Sequence, residues 1–544
     1  MFIKILLLSF LIGAGQSVFA QEDWEETGEI EDAQVIIEKD RKIELPAANR
    51  TYEKVPPSEE NKQIKPQQYN FNEFLYEGNS YSPDVKINRL TPENSVNSNN
   101  NFVKVGFGNY ISPLAEVSLN TTKNKLTAGL SFNHLSFARG PVDGSNSGSS
   151  DNQGNLYAIL NNQKSAISLD LDFNSTKRYY YGFSDGSRTE INPLKQKYNT
   201  FGLKIGIRNS DQNSAFDYSF KTGFYTLNDN FNAKENGFTG QLKVSAPIVD
   251  NISLFSEIDA LITNYDDVTD INRNVVKIKG GVGYELDRLS IKAAANIALT
   301  NDTISNSNDF KLYPYFTANY QLSDKWSLSG GLVGDLEAVT LKTLSNENPF
   351  IAQGIPLNHT NKQIELFGKI SGKLSQQLDL KTGLSYANYE NLYFYSDTLR
   401  FNLAYEEDAT DVINIFTEVN FTLQSNFAIN TRFDFFNYST KTLPEAWHRP
   451  TFISNISARY TVNKKLFIGS SLSVISGIKS FNPTTGTSEK LDSVLDLGFN
   501  ANYQINDRLS AFSELNNILS KKYERYINYI NRSFMVHAGI SFSF

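Results

Sequence analysis

The last eleven residues of the chain constrain its fold more than any other stretch. Their side chains alternate between an apolar row and a row that is mostly small or polar, with the period of two that defines a strand. The chain ends there with nothing left to cover the apolar row, so we expect lipid to cover it, as in a transmembrane β-barrel whose first strand pairs with its last. A terminal strand of a soluble sandwich stays open as the alternative. The apolar row consists of Phe534, Val536, Ala538, Ile540, Phe542 and Phe544.

Residues 1–20 have the features of a secretory signal peptide. Lys4 supplies the positive charge, Ile5 to Gly13 form the apolar run, and Ala20 ends a small-residue cleavage site. The run is too short to cross a bilayer as a helix. A retained anchor is the alternative. The chain has no cysteine, so it offers no thiolate for a disulfide, a lipid anchor or a metal site.

Residues 21–100 differ in composition from everything that follows. Between Glu22 and Glu60 there are thirteen acidic residues and five basic ones, and an Asn-rich stretch closes the segment. Such a sequence cannot bury a core of its own, so we expect an acidic, extended or partly disordered periplasmic arm. Three arrangements stay open: a solvated linker, a filler of the barrel lumen, or a strand added to another envelope protein through Val35 to Leu45.

Residues 101–544 read as a succession of long strands. Each of four clear examples alternates an apolar row with a polar, small or charged row, as expected when one face meets lipid and the other meets water. The many aromatic residues, 28 Tyr and 38 Phe, fit the aromatic girdles of such a barrel. The net charge of −8 argues against a nucleic-acid partner. The four stretches are Ile167 to Phe173, Val276 to Tyr284, Leu289 to Leu299 and Leu495 to Tyr503.

Short polar turns recur along this region, and longer polar connections lie between them. With both termini on the periplasmic side, ten short turns imply 22 strands, within a range of 18 to 24 because one misjudged hairpin changes the count by two. The sequence therefore predicts an all-β fold, a transmembrane antiparallel β-barrel with short periplasmic turns and long extracellular loops. The turns lie near Asn124, Lys164, Gln212, Asp250, Asp287, Asp324, Gln376, Ser425, Lys464 and Asp507, and long loops are predicted at Ala138–Gly154, Ser184–Gln196, Leu341–Lys362 and Asn388–Asp411.

The chain end also resembles the C-terminal sorting signal of bacterial outer-membrane proteins, which has a polar residue, a glycine and two aromatic residues at fixed positions. The matching residues are His537, Gly539, Phe542 and Phe544. The resemblance implies a location in the outer membrane of a Gram-negative cell. It also implies that the outer-membrane assembly machinery and membrane lipid are partners.

Residues 514–544 resemble the end of the barrel in TonB-dependent receptors. Ser520 and Asn531 depart from the pattern, where the family usually has an acidic or amide residue and a glycine. The resemblance implies a 22-strand barrel that transports a solute, and the composition is similar to that of Bacteroidota proteins. The matching positions are Asn517, Ile518, Leu519, Lys521, Lys522, Tyr523, Tyr529, Arg532 and Phe534.

The predicted arm departs from that family. TonB-dependent receptors carry an N-terminal plug domain that closes the lumen and contacts TonB, whereas residues 21–100 have low-complexity composition and no βαβ pattern. We therefore transfer no substrate-binding or TonB-contact residues, and dependence on TonB stays open.

Catalytic and metal chemistry find little support in the sequence. The four histidines, His134, His359, His448 and His537, have no metal-ligand spacing, and we predict no enzyme activity, cofactor or metal. Two acidic clusters, at 266–270 and 406–411, have the oxygen ligands that Ca²⁺ prefers, but a solvated loop is the favoured interpretation. Charged residues on the polar rows are predicted to face the lumen and to influence solute passage. They are Asp170, Asp172, Lys204, Arg208, Lys277, Lys279, Lys292 and Asp496.

Two hypotheses of function follow from these observations. The first is transport of a solute across the outer membrane by a plugless relative of TonB-dependent receptors. The second is a non-transporting structural or assembly partner in an outer-membrane complex. The family resemblance favours the first hypothesis, and the short arm favours the second.

Overall fold

The structure of the chain is a computed structural model. It describes residues 101–544, apart from 143, 183–193, 212–213, 302–308, 397–398, 424–425 and 483–485. The predicted signal peptide and arm lie outside the described residues, and both stay predictions.

Twenty-two strands form one antiparallel sheet. In chain order they are β1 (Phe102–Gly108), β2 (Ser112–Lys123), β3 (Leu126–Phe137), β4 (Ser149–Asn161), β5 (Ser165–Tyr180), β6 (Leu194–Asn209), β7 (Asp217–Asn228), β8 (Lys234–Val249), β9 (Ile252–Asp266), β10 (Asp270–Leu286), β11 (Leu289–Thr300), β12 (Asp309–Ser323), β13 (Trp326–Glu337), β14 (Thr360–Lys373), β15 (Leu378–Glu390), β18 (Thr410–Leu423), β19 (Phe427–Ser439), β20 (Phe452–Thr461), β21 (Leu466–Ser476), β24 (Val494–Gln504), β25 (Leu509–Asn516) and β26 (Met535–Ser543). Two hairpins stand apart from the sheet, β16 (Tyr393–Ser396) with β17 (Asn402–Tyr405), and β22 (Lys479–Asn482) with β23 (Thr487–Lys490).

The sheet closes into a barrel because the first strand pairs with the last. β1 and β26 are antiparallel neighbours, with Val105 opposite Ile540 and Gly106 opposite Gly539. Every other strand pairs with the strands before and after it in the sheet. The predicted fold class and the count of 22 strands are confirmed.

The short turns lie where the sequence predicts them. The turns at Asn124 and Asp287 are two-residue connections, and both residues have positive φ, 55° and 40°. This conformation matches the right-handed twist of the flanking strands in a tight hairpin. Gln212 and Ser425 themselves lie outside the described residues, but the strands on either side of each are paired neighbours.

The apolar rows point away from the barrel interior and are accessible. Ile167, Leu169 and Phe173 on β5 are each about two-fifths exposed, as a lipid-facing row in a bare chain must be. All four predicted alternating stretches fall on barrel strands, in β5, β10, β11 and β24.

The long loops all lie at the other end of the barrel, but the predicted boundaries are too wide. β4 already begins at Ser149 and β6 at Leu194, inside segments predicted as loops. The strands continue beyond the lipid, where both faces are polar, so the alternation that marks a strand disappears from the sequence before the strand ends. In their described parts these loops contain the 3₁₀ turn Gly144–Ser147 and one helix, α1 (Leu341–Glu347). Among the residues that the structure describes, no helix is long and apolar enough to span a membrane.

A glycine pair allows an aromatic ring to cover the seam between β26 and β1. A Cβ atom on Gly539 would lie 2.0 Å from the carbonyl oxygen of Val105 and 2.8 Å from the ring of Phe512. A Cβ atom on Gly106 would lie 2.7 Å from the same ring. Only glycine leaves room for this close approach.

A charge network lies on the same side of the seam. Lys104 Nζ is 4.3 Å from the ring centroid of Phe512, 2.6 Å from Glu514 Oε1 and 3.3 Å from Glu116 Oε1. These residues come from β25, β1 and β2, so one ammonium group joins strands from both ends of the chain.

Substitution of Gly539 by alanine is expected to weaken the seam. The added Cβ overlaps the Val105 carbonyl, so Gly539→Ala should lower the free energy of unfolding by about 1–3 kcal/mol. Urea titration followed by heat-dependent gel mobility measures the change. Gly280→Ala is the matched control, because a Cβ at Gly280 meets no atom within 4 Å. Equal stability of the two variants would contradict this account of the seam.

Candidate functional site

Loops from several parts of the barrel meet in one hydrophobic cluster at its long-loop end. We call the described residues of 338–359, 391–409, 440–451 and 517–534 the loop cap. Buried residues at the ends of β5, β6, β7 and β9 pack against it. Its buried apolar members in this cluster are Val339, Leu341, Leu344, Phe350, Ile351, Ile355, Leu357, Tyr395, Phe401, Leu403, Tyr523, Tyr526, Ile527 and Tyr529.

The contacts of Tyr180 show that the loop cap crosses the barrel mouth. The guanidinium carbon of Arg400 lies 4.6 Å from the Tyr180 ring centroid, and the Tyr180 hydroxyl donates a hydrogen bond of 2.8 Å to the Ile351 carbonyl. Tyr180 ends β5, whereas Arg400 follows β15, which is ten strands away in a circle of 22. A contact between nearly opposite strands spans the opening.

Tyr526 and Tyr529, on the last loop of the chain, tie the other loops together. The Tyr529 ring stacks on Phe350 with centroids 3.6 Å apart, and its hydroxyl donates to the Leu399 carbonyl. The Tyr526 hydroxyl donates to the Glu347 carbonyl at 2.8 Å. Each tyrosine thus combines apolar burial with a satisfied hydroxyl group.

A carboxylate on the barrel wall fixes helix α1. Glu235 of β8 is buried and accepts hydrogen bonds from the backbone N–H groups of Leu341 (2.6 Å) and Lys342 (3.1 Å), which have no partner inside the helix. Thr340 supplies the N-cap through its hydroxyl group, which accepts from the Thr343 N–H. The segment 338–359 is therefore anchored to the wall at the start of its helix.

A buried ion pair lies within the loop cap. Arg449 Nη1 is 3.6 Å from Glu347 Oε1, and the two side chains are only 8% and 3% exposed. The Tyr393 hydroxyl donates to Glu347, and Arg449 donates to the Tyr393 carbonyl at 2.8 Å. Burial is the largest single influence and disfavours the charge on Arg449, but the electrostatic effects of Glu347, Tyr393, Tyr438 and Tyr395 together outweigh burial and raise the pKa of Arg449. Burial, followed by the negative charge of Glu347, raises the pKa of Tyr393.

His448 is the most enclosed titratable group beside that pair. It is 1% exposed, its ring lies 5.1 Å from Phe401 and 5.6 Å from Tyr526, and neither ring nitrogen has a hydrogen-bond partner among the described residues. Burial, with a smaller contribution from the positive charge of Arg525, lowers the pKa of His448 to about 3. The imidazole is therefore neutral near pH 7, where it acts as an aromatic packing group.

The motif shared with the receptor family holds the last loop in place. Asn517 is fully buried, its side chain donates to the carbonyls of Lys521 (2.8 Å) and Arg532 (2.9 Å), and its Oδ1 atom accepts from the Lys521 N–H at 3.1 Å. Asp496, which we predicted as a lumen charge, accepts from the Asn517 N–H and from the Tyr523 hydroxyl, each at 2.9 Å. Asp496 thus anchors this loop to β24.

Two of the other motif residues, Arg532 and Phe534, contact neighbouring parts of the barrel, whereas the two lysines are exposed. Arg532 donates to Ser149 Oγ at 3.0 Å, and its guanidinium lies 4.2 Å from the Phe137 ring centroid. The Phe534 carbonyl accepts from the Asn109 side chain at 2.8 Å. Lys521 and Lys522 are exposed.

Residues of the proposed sorting signal occupy both faces of β26. His537 is buried, with Nε2 2.8 Å from Ser112 Oγ and its ring edge-on to Phe137, whereas Phe542 and Phe544 are exposed on the apolar row. Gly539 lies at the seam described above. These residues therefore also have structural roles in the folded barrel.

The remaining charged residues predicted for the lumen lie on the row opposite the exposed apolar row. Most of them meet a charge of opposite sign on another strand, so the wall carries paired charges. The pairs are Lys204 Nζ with Asp172 Oδ2 at 3.0 Å, Lys277 Nζ with Asp335 Oδ2 at 2.9 Å, and Lys279 Nζ with Glu257 Oε2 at 3.2 Å. Lys292 lies 5.9 Å from the Phe255 ring centroid, and Asp170 and Arg208 belong to the same row of β5 and β6.

Residues of the acidic clusters connect their own loops to neighbouring loops. Glu406 accepts hydrogen bonds from the backbone N–H groups of residues 441–443 and from the Thr442 hydroxyl. Burial alone would raise the pKa of Glu406. The hydrogen bonds together have a larger, opposite effect, so the pKa of Glu406 lies below its ordinary value. Asp267 accepts from the Tyr265 hydroxyl at 2.8 Å and from the Gly354 N–H at 2.6 Å. Within the described part of the chain, no group of three acidic, histidine or cysteine side chains is placed to hold a metal ion.

Sequence reasoning missed Glu235, Glu347 and Arg449. All three act through partners that are distant in sequence, and two lie in loops without periodicity. The last loop did give a signal, because Asn517, Tyr523, Tyr529 and Arg532 belong to the family motif.

No protein-family model matches the sequence, and no curated protein matches it. Solved structures do share the fold. The siderophore receptor PirA from Acinetobacter baumannii superposes with a TM-score of 0.65 at 10% identity, over 83% of this chain and 81% of that chain. The FrpB iron transporter from Neisseria meningitidis gives 0.64 at 10% identity, over 82% and 81%. The pyoverdine outer-membrane receptor FpvA from Pseudomonas aeruginosa, bound to pyoverdine, gives 0.63 at 10% identity, over 83% and 79%. At this identity the likeness establishes the fold, a 22-strand barrel of the outer-membrane type.

Removal of one partner from the buried ion pair is expected to destabilise the loop cap. Glu347→Gln keeps the side-chain shape but leaves Arg449 buried without a counter-charge, which should reduce the local stability by about 3–5 kcal/mol. Hydrogen exchange of residues 338–359 measures the effect. The control is Glu445→Gln, which breaks the more exposed Glu445–Lys479 pair and should change stability by less than about 1 kcal/mol. Unchanged exchange in Glu347→Gln would show that the pair does not hold the cap.

Replacement of Asn517 by alanine should loosen the last loop. The variant loses three hydrogen bonds at about 1 kcal/mol each, so we expect a loss of about 2–3 kcal/mol in the stability of 517–534. Limited proteolysis of this loop provides the measurement. Asn391→Ala separates the backbone effect, because Asn517 and Asn391 both have positive φ (46° and 55°), whereas the Asn391 side chain makes no hydrogen bond to described residues. Similar proteolysis of the two variants would reject the role of the Asn517 side chain.

Proposed function

We propose that the chain is an outer-membrane transport barrel that admits a hydrophilic solute, with the loop cap as its gate. The observation that carries the proposal is the contact of Tyr180 with Arg400 and Ile351, which joins the end of β5 to loops that follow strands eight and ten positions away in the barrel. A barrel of 22 strands encloses a lumen wide enough for large solutes, so it needs a closure that opens only for passage.

Two further observations support transport. Residues 514–544 resemble TonB-dependent receptors, and the solved structures that share the fold are described as siderophore or iron receptors and transporters. The wall charges are largely paired between strands, as Lys204 with Asp172 and Lys279 with Glu257. A wall of paired charges favours water-soluble cargo without strongly selecting its charge.

The composition of the loop cap suits a gate. Opening exposes the aromatic cluster to water, which opposes opening. The same opening rehydrates Glu347 and Arg449, whose burial is unfavourable, and this favours opening. Opposing contributions of this kind keep the closed and open states within reach of each other.

The remaining parts of the proposal rest on the sequence. We propose that residues 1–20 are removed as a signal peptide, that the protein resides in the outer membrane, and that its source is a member of the Bacteroidota. Residues 21–100 are proposed to act as an acidic periplasmic arm rather than as the plug of the receptor family, and as the segment that binds another envelope protein. Their acidic, low-complexity composition supports this assignment. We assign the chain no catalytic residue and no cofactor.

Planar-bilayer conductance of the full chain tests the gate. The variant Phe350→Ala with Tyr529→Ala removes the stacked pair that joins two loops of the cap. We expect few or small steps for the unaltered chain and frequent large ohmic steps for this variant, because the lumen then opens. The control, Phe421→Ala with Phe427→Ala, truncates an aromatic pair at a short turn on the other end of the barrel and should stay quiet.

The same experiment separates the two hypotheses. Transport would be rejected if neither the Phe350→Ala, Tyr529→Ala variant nor its control showed conductance steps and an envelope protein co-purified with the unaltered chain. The chain would then be a structural or assembly partner.

A further inference from the structure

A ladder of side-chain pairs runs up the outer face of β5 and β6, towards the long-loop end. The pairs change in chemical character with height. In order they are Phe173 with Phe201, Ser175 with Asn199, Lys177 with Lys197, and Tyr179 with Lys195. The two phenylalanines are 43% and 47% exposed on the apolar row. All eight side chains share their face, since alternate residues of a strand point the same way.

The top of the ladder places three ammonium groups close together. Lys177 and Lys197 are directly opposite each other. Lys195 precedes Lys197 by two residues on β6 and lies one step higher on the ladder. Like charges in such positions repel each other and destabilise the sheet. Among the described residues none of the three lysines has an acidic partner, whereas Arg178, the next residue, points to the other face and pairs with Asp151 at 3.0 Å.

Neutral polar groups adjoin the lysines on the same face. Asn152 of β4 lies opposite Ser175, and His134 of β3 lies opposite Asn152. His134 Nδ1 is 2.6 Å from Asn152 Oδ1, and His134 Nε2 is 3.0 Å from Ser136 Oγ. This surface presents imidazole, amide and hydroxyl groups, which suit hydrogen bonding to the hydroxyl groups of a sugar.

The height of the lysines matches the level of lipid headgroups. Lys177 follows the last exposed phenylalanine of β5 by four residues, which is about 13 Å along the strand and roughly 9 Å along the membrane normal at a tilt of about 45°. The headgroup region extends about 5–8 Å beyond the hydrocarbon core. Because a lysine side chain bends several ångströms towards an anion, the ammonium groups reach that region.

We propose that this surface of β3–β6 binds a phosphorylated glycolipid of the outer leaflet. The acyl chains pack on Phe173 and Phe201, the sugar lies against the His134 and Asn152 surface, and the phosphate groups bind Lys177, Lys195 and Lys197. The bound phosphate relieves the repulsion among the three ammonium groups.

Native mass spectrometry of the full chain in detergent tests the proposal with two probes, a glycolipid carrying two phosphates on its sugars and the same glycolipid without them. The unaltered chain should bind the phosphorylated form at least about tenfold more tightly. The triple variant Lys177→Gln, Lys195→Gln, Lys197→Gln should lose that preference. The control Lys325→Gln, Lys464→Gln, Lys465→Gln removes the same charge from exposed short-turn positions at the other barrel end and should retain it.

Competition experiments identify the source of the phosphate. Inorganic phosphate and phosphatidylglycerol should each displace the glycolipid poorly, because neither combines sugar and phosphate contacts. Displacement by inorganic phosphate at equal concentration would assign the lysines to free phosphate, and displacement by phosphatidylglycerol would assign them to any anionic lipid. Either result, or an equal loss of binding in both triple variants, would overturn the proposal. Heat-dependent gel mobility verifies that each variant is folded.

Discussion

Closure of the sheet on itself is the constraint on which the rest of the structure depends. Lipid offers no hydrogen-bond partner to a backbone group, so an open sheet edge cannot persist in a membrane. The chain meets this requirement with the pairing of β1 and β26. The pairing in turn explains the small residues at the seam, because Phe512 covers Gly106 and Gly539 only where both lack a side chain. Gly539, which belongs to the stretch that resembles a sorting signal, is thus also required by the packing of the seam.

A closed barrel of this width creates a second problem, which is the large aqueous lumen. The structure answers it at one end with loops that fold inward rather than outward. Tyrosine hydroxyl groups bind the carbonyls of neighbouring loops, so irregular backbone is satisfied without a sheet. Glu235 on the wall and Asn517 at the end of β25 hold two of these loops at their first residues. The loop cap is therefore built from the same chain as the barrel and is continuous with its strands.

The sequence carries enough information for the barrel and too little for the cap. Lipid on one face and water on the other require alternating side chains along each strand. The strands β5, β10, β11 and β24 can therefore be predicted from the sequence. The loops do not alternate between a lipid-facing and a water-facing side, so their sequences carry no such pattern. The pairing of Glu347 with Arg449, or of Tyr180 with Arg400, depends on how distant loops meet. Likewise, the polar row of a strand is predictable, whereas the partner of Lys277 or the anchoring role of Asp496 follows from the strand register and the fold.

The position of Tyr526 and Tyr529 in the chain has a consequence for biogenesis. They lie on the last loop, between β25 and β26, and they contact loops that were synthesised much earlier. Contacts between residues so distant in sequence require the closure of a long chain segment, which slows their formation. A nascent barrel without its final hairpin therefore lacks the closing strand and the centre of the cap together. Completion of the wall and formation of the contacts that the last loop adds to the cap are thus coupled in one step.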